Sequence, residues 1–233
     1  GKRNKTDRVD GATLAQMGAA QPDLVRYALP SAGPETLTWL VRMRQDVVAL
    51  ASTVKVRKQE KGLLALESQM LAQQAEFFAM QIKGLEEEIR STLKASPELS
   101  LHAENLRTIP GVGEVTAWSL LAEGADFTRF ESPKQIAAYT GVCPSVKQSG
   151  TSLKTKGTMS RTGNAKLRKA LYMAALGAVR SPGAFQDLYS RLVNKGKAKK
   201  AALGAVMHKL IRVAYALVKN RCPFNLEGAL TSE

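Results

Sequence analysis

From Glu35 to about Ala95 the chain runs without a proline, and apolar residues recur at steps of three and four: Leu37, Leu40 with Val41, Val47 with Val48, Leu50 with Ala51, then Val54. That is the period of an amphipathic helix. Gly62 offers a break. Beyond it Leu63, Leu66, Met70, Phe77, Ile82, Leu85, Ile89 and Leu93 continue a related spacing, with Glu86, Glu87 and Glu88 on the polar side. Two long helices, paired as a coiled-coil arm, are predicted, and a spacer or an oligomerisation arm is the role such a pair usually has.

The flanks are shorter and more broken. Residues 5 to 19 predict a helix with Thr6 as N-cap and Val9, Ala12, Leu14 and Ala15 as small apolar positions. Pro22, Pro30, Gly33 and Pro34 mark an irregular connector. Ser96-Pro97 closes the arm, and a helical domain is predicted from near Leu99: a helix to Thr108, the turn Ile109-Pro-Gly-Val-Gly113, a helix through Glu123, and a segment from Phe127 to Tyr139. Residues 141 to 163 hold Gly141, Pro144, Gly150, Gly157 and Gly163 among Ser, Thr and Lys, too many breakers for a long helix, so short strands or a hairpin are expected. After Asn164, the set Leu167, Leu171, Ala174, Ala175 and Ala178 marks a helix, followed by Phe185 to Leu192 and Ala201 to Val218, with a basic turn Lys195-Gly-Lys-Ala-Lys-Lys200 between them. There is no βαβ alternation and no internal repeat. The fold class predicted is mainly α, divided into residues 1–22, 23–96 and 97–233.

With 233 residues, 44% apolar and 23% charged, the chain can bury a core, which excludes disorder throughout. Apolar runs are only a few residues long, far short of the roughly 20 needed to cross a bilayer, and no leader pattern opens the sequence. No membrane association and a cytoplasmic location are therefore expected. Cys143 and Cys222 lie far apart, without a CxxC or Cys/His cluster, which argues against a disulfide scaffold or a zinc site. The sequence starts at Gly1 where an initiator Met would stand, as expected of a truncated N-terminus.

Charge changes the picture most. Residues 1 to 139 hold 17 Lys and Arg against 17 Asp and Glu; residues 140 to 233 hold 17 against only Asp187, Glu227 and Glu233. The whole net charge of +14 lies in the last 94 residues. A polyanion-binding surface has this signature, because each cation set on a phosphate releases condensed counterions. A basic solubilising surface or a membrane-facing patch is the alternative.

Three segments could carry chemistry. Asp7 and Asp10, at i and i+3 at a helix start, project from one face and can share a cation, Mg²⁺ being the natural choice for carboxylates; a helix start also favours Asp through the macrodipole alone. Ile109-Pro-Gly-Val-Gly113 has the pattern of a helix-hairpin-helix, whose glycines (Gly111, Gly113) would let a phosphate approach the next helix's N–H groups. Glu114 at that helix tip would repel one, so a structural αα-corner stands beside the DNA contact. Residues 147 to 164 combine glycines, hydroxyls and cations (Lys147, Lys154, Lys156, Arg161), suited to hold a phosphodiester, and a serine there could act as nucleophile. Composition does not choose among Ser149, Thr151, Ser152, Thr155, Thr158, Ser160 and Thr162. His102 and His208 stand apart from any local carboxylate or serine and read as structural.

These segments, in this order and with a helical arm between the first two, resemble the DEDD insertion-sequence transposases of the IS110 group, which includes Piv-type invertases and bridge-RNA-guided recombinases. Lys5-Thr-Asp-Arg-Val-Asp10 is similar to the end of that family's α/β RuvC-like nuclease domain, and Ile109-Pro-Gly-Val-Gly113, Thr116-Ala117, Phe130, Ala137-Ala-Tyr-Thr-Gly141, Gln148-Ser-Gly150, Gly157-Thr-Met-Ser-Arg-Thr-Gly-Asn164 and Leu167-Arg168 to its C-terminal domain. Gly11 stands where Ala is usual. The resemblance implies that Asp7 and Asp10 are the last two of four acids holding Mg²⁺, the first pair lying upstream. It also implies that Ser149, with Ser160 as the second candidate, attacks DNA to form a phosphoserine link. Lys147, Lys154, Lys156, Arg161, Asn164 and Arg168, with Gly111 and Gly113, are the expected nucleic-acid contacts. DNA is the expected partner, with a guide RNA in part of that group and a homo-oligomer formed through the arm. The alternative function is a non-enzymatic DNA- or RNA-binding scaffold.

Overall fold

The computed structural model describes residues 7–20, 32–124, 127–145, 148–149, 153–154, 158–160 and 162–225. Helix α1 (Asp7–Ala20) belongs to a unit of its own, Gly1–Ser31. Ala32–Glu233 is the second unit. It is mainly helical, as the periodicity predicts, and its described strands are four of two residues each.

In the arm, α2 (Ala32–Arg57) and α3 (Ala65–Ala95) pair around Gly62, whose φ of +85° turns the chain. Leu37, Val41, Val47 and Val54 of α2 and Ile89 and Leu93 of α3, all read from the sequence, are buried, and so is Leu71, which the spacing misses. Leu50, Leu66, Met70 and Phe77, read as apolar positions of the same pattern, are exposed. Arg44 donates to Glu86 at 2.6 and 2.9 Å between the two helices. The arm does not end where the next domain begins. Leu37, Val41, Ile89 and Leu93 share one core with Ala103 of α4 (Pro97–Arg107) and with Trp118 and Ala122 of α5 (Glu114–Glu123). Ser96, the N-cap whose hydroxyl accepts from Leu99 N, and Pro97 at the first helical position turn α3 directly into α4. The junction at residues 96 and 97 is thus a corner inside one packed unit.

The larger core is centred on α9 (Lys199–Asn220), twelve of whose residues are buried. Its apolar face packs on α4, α6 (Pro133–Thr140), α7 (Ala165–Ala178), α8 (Ala184–Asn194) and a 3₁₀ turn (Phe127–Arg129). Lys209 and Arg212 keep its apolar runs short, yet its mean hydropathy over 18 residues reaches 1.5, enough by length and composition to cross a membrane. That departs from the sequence expectation. Sixty-seven percent of the stretch is buried inside the domain, the place of a core helix.

Between α6 and α7 the predicted hairpin is a nested pair of ribbons. β1 (Pro144–Ser145) pairs antiparallel with β4 (Thr158–Met159), and inside them β2 (Gln148–Ser149) pairs with β3 (Leu153–Lys154). The returning chain is anchored on α6: Ser160 N–H donates to Cys143 O at 3.0 Å and Asn164 N–H to Tyr139 O at 2.8 Å. Gly163, at φ +129°, allows this approach, since a Cβ there would collide with the Tyr139 carbonyl.

Candidate nucleic-acid interface

The ribbon carries the candidate nucleophile. Ser149 closes β2 with Leu153 as its cross-strand partner, and Lys154 stands opposite Gln148. Successive residues of a strand alternate faces, so the pair Gln148 and Lys154 belongs to one face of the ribbon and the pair Ser149 and Leu153 to the other. Lys147, Lys156 and Arg161 lie outside the described residues. Ser160, the second candidate, follows β4 directly and is half-buried, its carbonyl accepting from the Thr162 hydroxyl at 3.4 Å. Asp7 and Asp10 fall in the first turn of α1, a continuous helix, so their Cα atoms share one face. Among the described residues no group of three His, Cys, Asp or Glu could hold a metal ion.

The helix-hairpin-helix pattern forms an αα-corner. Gly111 has φ +84°, and a Cβ there would collide with Ala178 N and Ala174 O of α7. Gly177 faces it from α7, where a Cβ would sit 2.9 Å from Gly111 Cα. The turn is therefore wedged onto α7, and Gly111 packs against protein where a phosphate contact was predicted. Gly113, the N-cap of α5, has open space around it. The tip it caps carries an acid: Glu114 accepts from Arg90 at 2.8 and 2.9 Å, and the Arg90 guanidinium lies over the Trp118 ring at 5.3 Å. Arg90 holds the Glu114 carboxyl below its ordinary range. An ionised carboxylate at the helix start satisfies the dipole that a phosphate would otherwise use.

Asn164 is part of the framework. Its Oδ1 accepts from Leu167 N at 3.0 Å, capping α7, while its Nδ2 donates to Glu123 Oε2 at 3.0 Å and to the Tyr139 hydroxyl at 3.3 Å. Both ends of the amide are thus engaged inside the protein. Arg168 donates through Nη1 to Thr140 O at 2.9 Å, at the last residue of α6. Glu123, which the sequence reading passes over, is 1% exposed and lies where these bonds meet. Burial opposes its ionisation, but Arg42 and Asn164 outweigh burial and lower its pKa. Nothing in the local sequence marks it, since its partner Arg42 is 81 residues away.

A mainly α domain with a basic C-terminal half and a hydroxyl-bearing ribbon belongs with proteins that handle polyanions. The family pattern described as "Transposase IS116/IS110/IS902 family" matches residues 103–190, from α4 into α8. The chain is 33% identical over 228 residues to the pilin gene-inverting protein of Moraxella lacunata, a match covering 97% of this chain and 69% of that one. It is 31% identical over 140 residues to an insertion element IS110 uncharacterized 43.6 kDa protein of Streptomyces coelicolor, covering 60% and 33%. A transposase for insertion sequence element IS1111A from Coxiella burnetii is 28% identical over 140 residues, covering 59% and 37%. The chain belongs to the IS116/IS110/IS902 family of transposases.

Proposed function

We propose that this chain is the arm and transposase domain of a DNA recombinase in which Ser149 is the nucleophile. The observation that carries the reading is the position of Ser149 at the end of β2, in a ribbon whose segment, residues 147 to 164, is rich in cations and hydroxyls and holds no acid. In the step proposed, Ser149 Oγ attacks the phosphorus of a DNA phosphodiester and its proton passes to solvent or a nearby base. A phosphoserine diester forms, the bond to one deoxyribose oxygen breaks, and that oxygen leaves protonated as a free hydroxyl. One phosphodiester replaces another, so the link conserves the bond for rejoining to a second strand. Ser160 is the second candidate for the same role.

Asp7 and Asp10, three residues apart on α1, are carboxylates of the kind that hold Mg²⁺, and the family resemblance assigns the remaining acids to a pair preceding them. When bound there, Mg²⁺ would neutralise charge developing on the phosphoryl oxygens. Two carboxylates of one helix cannot fix an octahedral ion alone, so residues 1–233 are expected to bind DNA without cleaving it. DNA is the substrate class that family membership supports. A guide RNA, self-association through the arm and action in the cytoplasm are further parts of the reading.

Incubating the protein, together with the family's first acid pair, with labelled duplex DNA and Mg²⁺ should give a covalent adduct that survives denaturation. Ser149→Ala should lose it. An adduct retained in Ser149→Ala and lost in Ser160→Ala would move the role to Ser160, and no adduct beside tight binding would favour the scaffold reading.

A further inference from the structure

A groove of about 190 Å³ runs between the root of the arm and α7, floored by α5. Arg44 and Gln45 enter it from α2, Thr116 and Ser119 from α5, and Lys166 and Lys169 from α7. No carboxylate lines it. Arg44 is already held by Glu86, and the Lys166 charge also acts on Glu123, while both lysine side chains are exposed. They sit in the first turns of α7, a helix with Lys166, Arg168 and Lys169 and no acid, at the positive end of its dipole. The polar floor is ordered: Ser119 Oγ donates to Val115 O at 2.9 Å and accepts from Gln45 Nε2 at 3.5 Å. The remaining walls are apolar, from Val48, Val115, Ala170 and Met173.

We propose that this groove seats a phosphate of duplex DNA, with Lys166 and Lys169 as its cations and the Thr116 hydroxyl as a donor. The mixture of cations, a hydroxyl and apolar carbon without an acid matches a phosphodiester flanked by deoxyribose, and it offers no base-edge readout. The site bridges α2 and α7, so DNA held there touches the arm and the helix whose N-cap, Asn164, anchors the end of the ribbon. It would thus set the register of the duplex relative to Ser149. The proposal rests on the DNA-handling reading above but not on the identity of the nucleophile.

The test is the salt dependence of binding, read by fluorescence anisotropy of a labelled DNA duplex. Lys166→Gln/Lys169→Gln should lower the slope of log affinity against log salt by roughly 0.9, the value for one phosphate contact. Thr116→Val should weaken binding about 2- to 10-fold with the slope unchanged. Melting of the lysine double variant should match the starting protein, since both lysines are exposed. Binding with an unchanged slope in the double variant overturns the groove and leaves the DNA reading intact. No duplex binding by the starting protein overturns both. A slope change seen with duplex RNA and absent with DNA overturns the assignment to DNA.

Discussion

The guanidinium of Arg42, on the arm, grips the buried carboxylate of Glu123, at the end of α5, through two parallel bonds of 2.9 and 3.1 Å. The same carboxylate receives Asn164, the N-cap of α7, five residues after the last strand of the ribbon. One acid therefore joins the arm, the αα-corner and the returning chain of the serine ribbon. The arm's inclination and the ribbon's anchor cannot change independently while it holds.

Removing that charge should be felt in stability before anything else. Glu123→Gln should cost about 2 kcal/mol, because it weakens charge-assisted bonds in a buried place. Arg42→Ala should cost more, because it leaves the buried Glu123 carboxylate with Asn164 as its remaining side-chain partner, whereas Glu123→Gln leaves Arg42 half exposed and solvated. Urea unfolding of the two variants measures both, and equal, near-zero costs would contradict the account.

The pH dependence has a definite sign. Folding lowers the Glu123 pKa below the ordinary 4.5, so the native state binds its proton less readily than the unfolded chain. Its stabilisation is present above that ordinary value and is lost as pH falls through the lowered one. Unfolding free energies followed from neutral pH into the acid range should decline less steeply in Glu123→Gln than in the starting protein.

Gly111→Ala should destabilise severely, by several kcal/mol, because the added methyl strikes α7 backbone at a positive φ. Gly113→Ala meets open space and should cost about 1 kcal/mol or less. Thermal melting separates them. A Gly111→Ala protein that melts normally but binds DNA weakly would restore the phosphate-contact reading of this turn.

Asn164→Ala should lower stability by about 1 kcal/mol through the lost cap, and more if the Glu123 bond counts strongly. The salt slope of DNA binding should stay unchanged, since the amide faces protein. Anisotropy titrations check this directly, and a loss of affinity with unchanged melting would make Asn164 a DNA contact.

What the sequence reveals here follows the range of each interaction. The arm is legible because its pairing repeats every three or four residues, and Gly62 marks its turn. The ribbons are legible as short strands or a hairpin from the density of breakers, but their nesting and register are not, since two-residue strands leave no alternation to read. Gly111 and Gly113 look equivalent in the motif, and only the approach of α7, sixty residues later, separates them. Asn164 appears among phosphate-suited residues because an N-cap and a polar contact favour the same side chain. The Arg42–Glu123 pair and the groove at Lys166 and Lys169 join distant segments, and neither leaves a local pattern.

The central claim is that Ser149 forms a covalent bond to DNA. The most direct measurement is peptide mapping by mass spectrometry of the protein–DNA adduct after nuclease digestion, made with the family's first acid pair present and Mg²⁺ supplied. The account predicts a phosphonucleotide on the peptide holding Ser149, absent from Ser149→Ala. A modified peptide holding Ser160 and an unmodified Ser149, or an adduct that persists in Ser149→Ala, would contradict it.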